Sequence, residues 1–183
     1  MIPAHLRFQV GLPFALSGLS GLKENFAADY PIASRGYEDM VAHELERLTV
    51  EVPPEELAIQ WDVCYEVLDI EGGLLVRMAN YAVANSGRTV DWLHLAGPRY
   101  LRSEDDRFFR PLRELRVGHT RVFLGIVLPI DGIPGLRRGK ATAARYLTDF
   151  GVAMYCGFGR QPGRDGEETM REHRRAALTA RRG

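Results

Sequence analysis

From residue 57 onward, short apolar runs alternate with stretches of helical periodicity, and this alternation constrains the fold more than any other feature of the chain. LAIQWDV (57–63), VDWLHL (90–95), RVFLGIV (121–127) and GVAMYC (151–156) read as strands. Between and after them lie LLVRMANYAVAN following Gly72-Gly73, a charged segment over 105–115, GLRRGKATAARYLTDF (135–150) and a basic segment over 167–181, all read as helices. The repeat is roughly thirty residues long, the size of a βα unit. Strictly alternating elements of that length call for parallel strands joined by right-handed crossovers. Continuously apolar strands are what a sheet covered on both faces requires.

Ahead of these units, LRFQVGLPF (6–14) reads as a further strand ending at Pro13, followed by a Gly- and Ser-rich loop from Ser17 to Gly21. Tyr37, Met40, Val41, Leu45 and Leu48 keep helical spacing, with Ser34 available as a cap and Pro53-Pro54 as the stop. No Gly-x-Gly-x-x-Gly follows a strand and no P-loop is present, so a barrel-type arrangement is favoured over a dinucleotide-binding sheet. The expectation is an α/β chain forming one domain over 1–183, a partial (β/α)8 TIM-type barrel with parallel strands. A closed eight-stranded barrel needs about 250 residues. Five strands leave the ring open or completed by a second copy, and because an uncovered edge invites association, a homodimer is the expected partner arrangement.

Composition excludes little. Formal net charge is zero, so nothing global points to nucleic acid. The charge is uneven: residues 1–100 hold 7 Lys+Arg against 14 Asp+Glu, and residues 101–183 hold 17 against 10. Such a split focuses an anionic ligand on the second half, helps two copies dock, or simply reflects a solvated Arg-rich surface. Two cysteines, Cys64 and Cys156, form no disulfide framework, which favours a reducing cytoplasmic setting. No apolar run approaches the ~20 residues of a membrane span, and MIPAHLRFQVGLPFAL lacks the pattern of a secretory signal.

Barrel chemistry sits at the carboxyl ends of the strands. There the sequence offers Asp62, Cys64 and Glu66, then His94 and Arg99, then Asp131, then Cys156 and Arg160. These include possible zinc ligands, but without a Cys-x-x-Cys or His-x-x-x-His spacing. Asp62, in the otherwise apolar IQWDV, either binds a cationic ligand group or caps the following turn. His94 alternates with Trp92, so both can face one side; His94 is either a substrate-binding residue or a core histidine hydrogen-bonded to backbone. YCGFGR (155–160) can present backbone N–H groups and Arg160 to an anion.

Several phrases, in order, resemble the cobalamin-independent methionine synthase-like family of the uroporphyrinogen decarboxylase/methionine synthase superfamily. They are VGLPFALS, LAIQWDVCYEV, GLLVRMANYAVANSGRTVDWLHLAGPR and DFGVAMYCGFGRQP, together covering most of residues 6–162. The resemblance implies a (β/α)8 barrel whose zinc holds a small thiol, homocysteine in the true synthases, as a thiolate for attack on the methyl group of a methylated folate. It implies Cys156 as a zinc ligand and Asp62 as the carboxylate that receives the amino group of the amino-acid substrate. Two further family ligands come from a His-x-Cys strand end, which this sequence lacks. Set against the family pattern, the resemblance implies a βα unit missing near Gly72-Gly73, no counterpart in these residues of the family's N-terminal barrel units, and a family glutamate ligand falling near Ala96. Zinc needs three protein ligands beside the substrate, so a binding module that keeps the scaffold without catalysis is the alternative expectation.

Overall fold

The computed structural model describes residues 7–62, 73–97, 102, 105–128, 131–155 and 166–181. Contacts divide the chain into two compact units, Met1–Glu66 with Tyr81–Thr89, and Val67–Asn80 with Val90–Gly183.

In the first unit, β1 (Phe8–Pro13) and β2 (Leu57–Asp62) pair in parallel, with Phe8 opposite Leu57 and Pro13 opposite Asp62. Between them come the short helices α1 (Ala15–Gly18) and α2 (Ser20–Asn25) and the long helix α3 (Tyr30–Glu51). Alternation sorts β2 into two faces. Leu57 is buried with Ile59 and Trp61 half-buried beyond it, whereas Gln60 on the other face is exposed. The Phe14 ring stacks on Trp61 at 4.6 Å and 14°. Tyr81 meets both rings edge-on at 6.3 Å. The Tyr81 hydroxyl donates to the Glu38 carbonyl at 2.7 Å, so one aromatic group joins β2 to α3.

Helix α3 starts seven residues before the Tyr37 expected from apolar spacing, because Pro31 fits a first helical turn and the helix runs on through Gly36. Ser34 therefore lies inside the helix and caps nothing. The stretch expected to be a Gly/Ser loop is instead largely helical. Gly18 is needed there: a Cβ would stand 2.6 Å from the Tyr37 hydroxyl, which itself donates to the Pro13 carbonyl at 3.2 Å.

The second unit holds a three-stranded parallel sheet whose spatial order follows the chain: β3 (Trp92–Ala96), β4 (Arg121–Val127), β5 (Gly151–Met154). Helix α4 (Gly73–Asn85), which belongs to this unit as far as Asn80, precedes it, α5 (Asp106–Phe109) lies between β3 and β4, α6 (Gly132–Ala143) follows β4, and α7 (Gly166–Arg181) follows β5. The expected 105–115 helix breaks into α5 and a tighter 3-10 turn over Arg110–Glu114, since Pro111 brings no N–H to continue an α-helical ladder.

Helix α6 lies against β4, α7 lies against β5, and the two helices touch, so both cover one face of the sheet. Lys140 adds a 2.6 Å bond to the Ala180 carbonyl. Val122, Leu124 and Ile126 of β4 are buried together with Leu136, Ala143 and Ala176. Arg121 and Phe123, alternating with them, look the other way, where Trp92 is 57% exposed. The architecture is α/β with parallel strands in sheets of two and three, and no closed barrel is present among the described residues.

Candidate functional site

On the less covered face of β3–β4–β5, side chains at every second position gather. Trp92 and His94 of β3 stand opposite Arg121 and Phe123 of β4, as their alternation predicts. With Ala153 they line an open groove of 390 Å³. Toward the carboxyl ends the same face closes, with Ala96 and Gly125 buried.

His94 Nε2 lies 2.8 Å from the Met154 carbonyl oxygen, reaching from β3 to β5 past the intervening β4. A carbonyl only accepts, so Nε2 carries the proton and Nδ1 is left as the lone-pair nitrogen. Gly125 makes this possible. A Cβ at that position would stand 2.6 Å from the Met154 oxygen and 2.7 Å from the Ala96 Cα. A register shift between Leu124 and Val127 accompanies the close approach of β5 at this point. His94 retains solvent exposure, yet its pKa is lowered from the usual 6.5, first by the groups crowding it and further by nearby His173. The bond to Met154 opposes that shift. A neutral imidazole is thereby favoured near pH 7.

In the first unit, Asp62 ends β2. It accepts a 2.6 Å hydrogen bond from Gln60 Nε2 at Oδ1, and Gln60 in turn accepts one of 2.6 Å from Gln9 Nε2. This relay fixes the carboxylate over Gly11, where a Cβ would come within 2.7 Å of Oδ2. No cation pairs with Asp62 among the described residues. An oriented, half-buried carboxylate with a neutral donor suits an ammonium group.

Asp131 stands at the start of α6 and pairs with Arg138 at 3.7 Å, an internal contact of that helix. Cys64, Glu66, Arg99, Cys156 and Arg160 lie outside the described residues. Among the described residues no three His, Cys, Asp or Glu side chains gather as a metal group, so they do not by themselves form the zinc site that the resemblance implies. Sequence reading passed over Arg121, Phe123 and Gly125. The apolar run RVFLGIV hid them, although a glycine inside such a run is a signal of close backbone approach.

No family model, curated protein or solved structure matches the chain. Among the described residues no helix is long and apolar enough to cross a membrane.

Proposed function

We propose that the chain is a methionine synthase-like α/β-barrel protein that binds a small amino-acid thiol such as homocysteine and takes part in methyl transfer from a methylated folate-type donor. The observation that carries this reading is Asp62. The residue that the resemblance marks for the substrate amino group sits at the carboxyl end of its strand, oriented by Gln60 and unpaired by any described cation. The parallel β3–β4–β5 sheet of the second unit, in chain order with α6 and α7 against it, is compatible with a run of βα units and supports the α/β part of this reading. Completion of the ring by a second copy belongs to this proposal, and mass in solution tests it.

On this reading Cys156 contributes to zinc binding, and zinc when bound would stabilise the substrate thiol as a thiolate near neutral pH. Within this proposal Asp62 receives the substrate ammonium and Arg160 an anionic group, whereas His94, expected at the carboxyl end of its strand, lies in mid-strand with Nε2 on the Met154 carbonyl and is assigned no role in it. Elemental analysis of protein purified without chelators tests the metal: zinc lost in Cys156→Ala supports methyl transfer, and metal-free wild-type protein overturns it. A second reading, a ligand-binding module without catalysis, is favoured by one observation: His94 already spends Nε2 on the Met154 backbone.

A further inference from the structure

The groove beside His94 lies at the amino-terminal ends of its strands. Trp92 opens β3 and Arg121 opens β4, and the two are direct cross-strand partners; His94 and Phe123 form the next pair on that face. This is the opposite end from the strand termini used in the reading above, and the inference does not rest on that reading.

Three observations describe what the groove can hold. First, it offers flat apolar surface. Trp92 is 57% exposed, and neither it nor Phe123 stacks on another ring among the described residues. Second, it carries an unneutralised positive charge. Arg121 makes one long bond, 3.5 Å from Nε to the Asp91 carbonyl, and no carboxylate pairs with it among the described residues. Third, part of the surface is held in place. The Phe123 ring occupies the space that a Cβ on Gly151 would fill, so β5 gives it a fixed seat.

A groove of 390 Å³ falls within the range of about 300–1,000 Å³ typical of small-molecule sites. A cationic guest would meet the Arg121 guanidinium unfavourably, and an aliphatic acid would leave both rings wet. A planar aromatic acid satisfies all three features at once, its ring against Trp92 and Phe123 and its carboxylate on the guanidinium fork. We infer that this groove is a binding site for a small planar aromatic carboxylate, with Trp92 and Phe123 as the stacking surface and Arg121 as the anion partner.

The test uses 2-naphthoate and its uncharged counterpart 2-naphthylmethanol on the full chain, followed by the two indole N–H signals in a proton–nitrogen NMR spectrum. Trp92→Phe assigns the signals, and Trp61 serves as an internal control. The expected result is a saturable shift of the Trp92 signal with 2-naphthoate. Affinity should fall about tenfold or more both for 2-naphthylmethanol and in Arg121→Gln, as loss of a charge-assisted bond requires. A shift linear in ligand, a shift confined to Trp61, or equal affinity for acid and alcohol would overturn the assignment. So would Arg121→Gln protein with an unchanged spectrum that binds 2-naphthoate as the wild type does.

Discussion

His94 and Met154 are joined across an intervening strand: Nε2 of the first donates to the main-chain oxygen of the second at 2.8 Å, passing β4 where Gly125 leaves space. This bond fixes the tautomer of the imidazole. Together with the lowered pKa it makes His94 a neutral group near pH 7.

A pH dependence follows from that shift. The folded-state pKa lies below 6.5 while the unfolded chain titrates near 6.5. As pH falls through that window the unfolded state takes up its proton first, so stability drops. The stability advantage of wild type over His94→Asn, measured by urea unfolding, should therefore shrink between about pH 8 and about pH 5. NMR titration should place the His94 pKa below 6.5, and His173→Gln should move it part of the way back up, crowding being the larger cause.

Gly125→Ala should destabilise the second unit by about 2 kcal/mol or more, the scale of forced overpacking. The new methyl would meet backbone atoms of Met154, Ala96 and Gly97, all within 2.8 Å, and backbone cannot step aside as a flexible side chain does. The same change should push the Met154 carbonyl away from His94 and alter the His94 pKa. Chemical denaturation and the His94 titration check both effects.

Phe14→Ala should cost about 3 kcal/mol or more, since the ring is only 4% exposed and stacks on Trp61. Trp61 emission should also shift to longer wavelength as water reaches the indole. Tyr81→Phe should cost less, about 1 kcal/mol, because it removes a single hydrogen bond to Glu38 and keeps the ring. Thermal unfolding of the two variants ranks them.

Much of this fold was legible. LAIQWD and RVFLGIV announced their strands because a run of apolar residues bounded by breakers has few other uses, and the alternation of Trp92 with His94 gave their common side. Other features were not local. The helix expected over 135–150 ends at Ala143, and the chain beyond it turns to contact Asp106, through Tyr146 at 2.6 Å and Arg145 at 3.6 Å. No periodicity encodes that tertiary pull. The candidate site was legible in part: Asp62 and His94 stand out as polar residues in apolar strands. The partners that orient them, Gln60 and the Met154 backbone, depend on register and a strand irregularity. Arg121 carried no signal, because a charged residue at the start of a strand usually marks only where the sheet meets solvent.

The reading of Asp62 as the seat of a substrate ammonium is tested most directly by calorimetric titration of homocysteine into wild-type protein and Asp62→Asn. The account predicts saturable binding to the wild type, weakened about tenfold or more by the loss of one charge-assisted contact. 4-Mercaptobutyrate, which lacks the amino group, should bind both proteins equally weakly. Homocysteine binding that is identical in the two proteins, or absent from the wild type, would contradict it.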